Sequence, residues 1–316
     1  MSEGMGGYKS LPFATYDLAV YLPGGAILLV LAQYSLETIL GSPALAQVNH
    51  FGSDLVNTVI LAILWISASY LAGHLGAYLS SIFIEKFVHT ALSYPSNVWI
   101  KKEEYTAAGI SCDQFTKSFL TQKISEAWNK HRSRLTSIAL FVFLFPIWLP
   151  LSFFIWLKPV SFYDPKLPEG LLPDVRSEFS KISRTVKVEE GTRWEKMVEH
   201  HVANNCPLAY QRMYNYLVIY GALRLLSFIM IIAGWVIIVK SVVAFFSVDG
   251  WVLSYRRSAL YFAASIGAYF AMLAFAKFNR RFFEECILAL LLADNPRTKN
   301  ANASYKFRSW GAIARR

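Results

Sequence analysis

The sequence predicts an all-α polytopic membrane protein: four transmembrane helices, a proline-broken re-entrant or in-plane hydrophobic hairpin, and a mainly helical cytoplasmic domain. Three observations lead there. Of 316 residues, 55% are hydrophobic and 16% aromatic while only 16% are charged, which suits a chain whose solvent is partly lipid. Four apolar segments come close to or exceed the roughly 20 residues that a crossing helix needs. Lys and Arg are spread unevenly over the connections, and this bias assigns each connection a side.

The first segment runs from about Leu18 to Tyr34. It lacks the basic leader and small-residue cleavage site of a secretory signal, so it is expected to remain as a span. Pro23, Gly24 and Gly25 directly follow DLAVY, and the helix is expected to kink or break there, freeing carbonyls for a neighbour, water or an ion.

The second segment, about Leu55 to Leu79, is the most informative. At 100° per residue, Ser67, Tyr70, His74, Tyr78, Ser81 and Glu85 fall within about 80° of arc, a polar stripe on an otherwise apolar helix that should not face lipid. The stripe suits either interhelical hydrogen bonds or a water-lined ion path. Ser69, Gly73, Gly76 and Ser80 form a second face, small enough for another helix to approach closely, so this helix is expected to be central in the bundle.

The third segment, about Leu217 to Val239, is bracketed by Arg224 and Lys240. The apolar stretch between them is about 22 Å of helix, shorter than the roughly 30 Å hydrocarbon core, so both cations can snorkel to opposite faces. Arg224 then shares its layer with Asp17 and Glu85, a candidate interfacial charge cluster. In the fourth segment, about Ser258 to Ala276, Ala263, Gly267 and Ala271 recur every four residues as a close-packing seam.

A fifth stretch, FVFLFPIWLPLSFFIWLK from Phe141, is apolar but carries Pro146 and Pro150, which break a helix by lacking backbone donors. Ser35 to Asp54 has no Lys or Arg, whereas Lys101, Lys102, Lys117, Lys123, Lys130, Arg132 and Arg134 crowd the next connection and mark it as cytoplasmic. The tail from Lys277 is basic as well, and it stays inside only if residues 137–158 dip and return. The expected layout is therefore residues 1–90 as N-terminus and two spans, 91–215 as a cytoplasmic domain interrupted by the hairpin 137–158, 216–276 as two spans, and 277–316 as a basic cytoplasmic tail. The membrane expected is a bacterial inner (plasma) membrane, with both termini cytoplasmic.

In the polar domain, Phe115, Phe119, Leu120, Ile124 and Trp128 have helical spacing, with Asp113 as a cap. DPKLPEGLLPD, Asp164 to Asp174, reads as a loop. KISRTVKVEEG, Lys181 to Gly191, alternates as a short strand or hairpin would, and helix is expected again near Thr192.

No catalytic constellation is visible, so the chain reads as a non-enzyme without cofactor. EHHVANNC, Glu199 to Cys206, gathers metal-ligating residue types, but adjacent histidines point about 100° apart on a helix and suit a solvated helix end. Cys112, Cys206 and Cys286 are too scattered for a disulfide framework. GMGG at Gly4 to Gly7 lacks the strand and helix of a dinucleotide fingerprint. The ending YKFRSWGAIARR interleaves aromatics with cations, which suits anionic lipid headgroups better than nucleic acid in a chain already anchored. The function expected is an oligomeric membrane protein with a cytoplasmic sensing or partner-binding domain and an ion-conducting or membrane-perturbing bundle. The alternative is a passive anchor or scaffold that recruits a cytoplasmic protein.

Reporter fusions after Leu45, Ser180, Val248 and Arg316 check the layout. Ser180 and Arg316 are expected inside, Leu45 and Val248 outside; an external report from Ser180 rejects the hairpin.

Overall fold

A computed structural model of the chain describes residues 17–40, 55–109, 142–147, 166–189, 194–246 and 255–293. The described residues are predominantly helical, with no strand among them. A π-helical turn over Asp17–Tyr21 leads into α1 (Leu22–Leu40), and α2 (Leu55–Ser80) continues through a second π turn, Ser81–Glu85, into α3 (Lys86–Leu92). Then come α4 (Pro95–Ala107), a 3₁₀ turn at Phe145–Ile147, α5 (Leu172–Ile182), α6 (Trp194–Asn205), α7 (Pro207–Phe246) and α8 (Tyr255–Ala293).

Among the described residues, three helical stretches are long and apolar enough to cross a membrane: Asn57–His89, Pro207–Ala244 and Tyr255–Leu292. Leu22–Glu37 is a shorter apolar helix. Large apolar side chains such as Val59, Ile63, Leu64, Ile66, Leu71 and Leu75 stand exposed, the pattern of an integral membrane protein whose outer surface meets lipid.

The chain divides into two compact units. Within the described residues, the apolar unit comprises 17–40, 55–91, 142–147, 218–246 and 255–276, and the polar unit comprises 92–109, 166–189, 194–217 and 277–293. Helices α7 and α8 each contribute residues to both.

The polar unit is built by amphipathic helices. Pro173 and Asp174 start α5 and Lys181 lies in its last turn, which agrees with the helix dipole, while Leu172, Val175 and Phe179 form its buried face. In α6 the buried face is Trp194, Val198 and Val202, one residue in every four. These join Trp99, Met213, Phe283 and Ile287 in one core, where the Phe283 ring lies 6.0 Å from Trp99 and 6.2 Å from Trp194 between centroids. The buried Glu284 carboxylate accepts the Lys166 backbone N–H at 2.7 Å, with Arg280 at 3.3 Å and Arg281 at 3.2 Å, so its charge is compensated.

The apolar unit depends on small residues. A Cβ at Gly25 would collide with the Ser69 carbonyl oxygen and lie 2.5 Å from the Gly73 nitrogen, and a Cβ at Gly73 would collide with the Tyr21 carbonyl. Helices α1 and α2 therefore meet backbone to backbone, on the face of α2 that holds Ser69, Gly73, Gly76 and Ser80. Gly24 and Gly76 both lie against the Leu225 side chain of α7.

Several expectations are corrected. Lys181 and Ile182 close α5, and Ser183 to Glu189 form no strand: the Val186 N–H donates to Ser183 Oγ at 3.1 Å, and Val188 packs into the core without a ladder partner. The loop expected to reach Asp174 gives way to helix at Leu172, because Pro173 suits a first helical turn. No break falls at Pro23, Gly24 and Gly25, which lie in the first turn of α1 directly after the π-helical turn Asp17–Tyr21. The stretch that holds α2 is less buried than α7 and α8: 17% of an 18-residue apolar window of Asn57–His89 is buried, against 33% and 44%. Its Gly-rich face packs on α1 while residues 57–68 are mostly exposed. The helix expected over Asp113 to Leu135, most of the hairpin 137–158, and the basic tail lie outside the described residues.

In an ordinary helix interior Gly→Ala stabilises by up to about 1 kcal/mol. At Gly25 the sign should reverse, with Gly25→Ala costing about 1–3 kcal/mol because backbone cannot move aside. Gly267→Ala, whose Cβ would meet Met230 at 3.6 Å, should be neutral or stabilising. Thermal unfolding in detergent micelles checks the pair; equal midpoints would contradict the backbone contact.

Candidate functional site

The polar residues of α2 differ in their surroundings. The α1 contact brings Tyr21 onto His74, and the imidazole lies between two rings, 4.2 Å from Tyr21 and 4.4 Å from Tyr70 between centroids. Ser67 and Tyr78 are exposed, Tyr78 with 65% of its surface open. Ser81 is half-buried, and Ser80 behind it donates to the Ala77 carbonyl at 2.7 Å.

Beyond the π turn, Glu85 is the hub of a charge cluster. Arg224 of α7 donates through Nη1 to Glu85 Oε2, and His89 Nε2, one turn on, stands 3.7 Å from Oε1. Arg224 and His89 retain 13% and 8% of their side-chain surface, and Glu85 retains 29%. A guanidinium is well suited to such a site, since it presents several donors to one carboxylate in fixed geometry. Glu85 and Arg224, two of the residues grouped by sequence, thus come together; Asp17 begins the first π turn and its side chain lies outside the description. Lys240, at the far bracket of the apolar stretch, has Nζ 2.9 Å from the centroid of the Tyr34 ring.

A second feature surrounds Pro146. The 3₁₀ turn Phe145–Ile147 lies among α7 and α8 residues of the apolar unit, and its backbone is satisfied by side chains. Ser265 Oγ and Tyr261 Oη both donate to the Pro146 carbonyl, at 2.6 and 3.1 Å, and Trp235 Nε1 donates to the Phe143 carbonyl at 3.0 Å. The proline ring rests over Gly234, where an added Cβ would come within 2.8 Å. Phe143 is itself stacked between Phe83 and Phe228, at 4.5 and 5.5 Å.

Three participants carry roles that the sequence did not predict. His89 was signalled by its position four residues after Glu85, the spacing at which helical side chains meet. The acceptors at Phe143 and Pro146 carried no signal, because nothing in sequence says which distant hydroxyl reaches a given carbonyl. At Glu199 to Cys206, His200 is exposed and Asn205 Nδ2 donates to the His201 carbonyl at 2.9 Å. Among the described residues, no group of three or more His, Cys, Asp and Glu could hold a metal ion.

Comparison with protein-family models, with curated proteins and with solved structures finds no match to this chain. The reading of the site therefore rests on geometry alone.

Removing one member of a desolvated ion pair leaves the other uncompensated, at a cost on the order of 3 kcal/mol when burial is extensive. A cation over an aromatic ring contributes about 0.5–1 kcal/mol at an exposed site. Arg224→Leu is therefore expected to lower the yield of folded protein in detergent more than Lys240→Leu does, and Glu85→Gln added to Arg224→Leu should recover part of the loss. Equal yields of the two single variants would reject the pairing.

Proposed function

We propose that the protein is an oligomeric integral membrane protein of a bacterial inner (plasma) membrane whose helical bundle conducts an ion or perturbs the membrane. Its polar helical unit is cytoplasmic and binds a protein partner that sets the state of the bundle. The observation that carries the reading is the cluster of Glu85, Arg224 and His89, together with His74, in an otherwise apolar unit. Ionisable groups at membrane depth are costly, and they characteristically mark ion paths and relays.

The rest of the proposal has its own supports. Four crossings fit because α1, with 19 residues, is about 28 Å long, close to the hydrocarbon thickness. The return of residues 137–158 to the side they left fits the 3₁₀ turn at Pro146, since non-helical backbone at membrane depth is tolerated where protein satisfies it. With that return both termini are cytoplasmic and the basic tail faces anionic lipid headgroups. A homo-oligomer fits the exposure of Ser67 and Tyr78, whose hydroxyls would meet a second copy in preference to lipid.

One observation favours a passive anchor. His74 and Glu85 already have protein partners, as residues that only bind helices together would. Electrical recordings on proteoliposomes separate the readings. The conduit predicts currents that His74→Phe abolishes at unchanged insertion, since phenylalanine keeps the bulk and removes the polar group. Silence of the wild-type protein with normal binding of a cytoplasmic partner would establish the anchor instead.

A further inference from the structure

Resting on the conduit reading above, we propose that residues 142–147 are the element through which the polar unit sets the state of the bundle. They form a wedge against α7 and α8 that keeps the conduit closed while seated and opens it on withdrawal.

The place of the wedge in the chain supplies the link. It belongs to the apolar unit, whereas the described residues that precede and follow it in sequence, 92–109 and 166–189, belong to the polar unit. A change in the polar unit therefore reaches the wedge along the chain from both ends. Helices α7 and α8 also contribute to both units, but an unbroken helix carries movement of the whole rod, while a short turn can leave its seat and return.

The seat suits an element with two discrete arrangements, which is what physical coupling requires. Leu144, Pro146 and Ile147 are buried, but Val142 and Phe145 keep 51% and 49% of their surface, so one side of the wedge is open. Withdrawal does not need the helices to part. The residues of the wedge carry no ionisable group, and the bonds that hold its carbonyls come from side chains: Ser265 and Tyr261 of α8 at Pro146, Trp235 of α7 at Phe143. Without the wedge α7 and α8 keep a contact of their own, since Ser227 Oγ donates to the Ala268 carbonyl at 2.9 Å.

The wedge also braces the charge cluster. Phe143 stacks between Phe83, in the π turn that ends at Glu85, and Phe228, one turn past Arg224. Seated, it steadies the two backbones that present the ion pair to each other. Ionisable groups at membrane depth need pairing or water, so loosening the brace is the step that opens the cluster to water.

Planar bilayers of phosphatidylcholine and phosphatidylglycerol holding the full chain, in symmetric potassium chloride, test the assignment in both directions. Ser265→Ala with Tyr261→Phe removes both donors to the Pro146 carbonyl at nearly unchanged bulk. It is expected to raise the open probability by about tenfold, the shift that loss of a hydrogen bond or two gives a two-state equilibrium. Pro146→Cys with Gly234→Cys, in a chain whose three native cysteines are alanine, locks the seated state, because a Cβ at Gly234 stands 2.8 Å from the Pro146 Cβ and the pair is within reach of a disulfide once the ring is gone. Copper phenanthroline should then silence the current and dithiothreitol restore it. This pair keeps the proposal falsifiable if the first variant does not insert. Currents that neither the double substitution nor the disulfide changes would overturn the wedge and leave the conduit standing. A cysteine pair that does not cross-link would show that the turn is not seated on Gly234, and would overturn it as well. Absence of current in the wild type and in the released variant alike would overturn the conduit, and the gate with it.

Discussion

The approach of α1 to α2 at Gly25, Ser69 and Gly73 is the contact on which the apolar unit depends, because it is made by backbone and leaves no side chain free to yield. In lipid, helices gain nothing from hiding apolar surface, so their association rests on close packing and hydrogen bonds. Setting Gly73 against the Tyr21 carbonyl also sets the Tyr21 ring over His74. The same packing seats Leu225 against Gly24 and Gly76. Arg224 precedes Leu225 on α7, and from there it reaches Glu85. The charge cluster is thus a consequence of where glycine permits two helices to touch.

The second constraint is that backbone polar groups in apolar surroundings require partners. At Pro146 the helical pattern cannot continue, and the carbonyls released there find Ser265, Tyr261 and Trp235. Each donor belongs to one of the two longest helices, so a local defect in one segment becomes a tertiary clamp on α7 and α8. Ser227 adds a direct link between those helices by donating to the Ala268 carbonyl at 2.9 Å. The polar unit solves the matching problem for charge, surrounding the buried Glu284 with two arginines and a backbone N–H.

Helix content and the apolar segments were legible in the sequence because composition and 3.6-residue periodicity are local properties. So was the small-residue face of α2, which needs only a wheel. The wheel failed past Ser80, since the π turn over Ser81–Glu85 carries more residues per turn and rotates everything that follows. That shift is invisible in residue types, as is the exposure of Ser67 and Tyr78, which lie before it. The expected strand near Val186 and Val188 shows the opposite error: alternation of apolar residues suggests a strand, but without a partner edge it only seats two side chains in a helical core. The burial ranking of the helices was beyond reach as well, because it depends on which neighbours arrive.

The central claim is that α1 and α2 touch through their backbones and that this contact builds the site. Solid-state NMR of the protein in bilayers, with ¹³Cα-labelled glycine and ¹³C′-labelled serine, tests it most directly. A through-space cross-peak between the Gly25 α-carbon and the Ser69 carbonyl carbon is expected, resolved by the Gly25 α-carbon shift from the intrahelical peak of Gly73 to the same carbonyl, and lost in Ser69→Ala. If that cross-peak is missing while the sequential glycine–serine peaks of Gly41–Ser42 and Gly52–Ser53 are present, the two backbones do not meet and the account of the site is wrong.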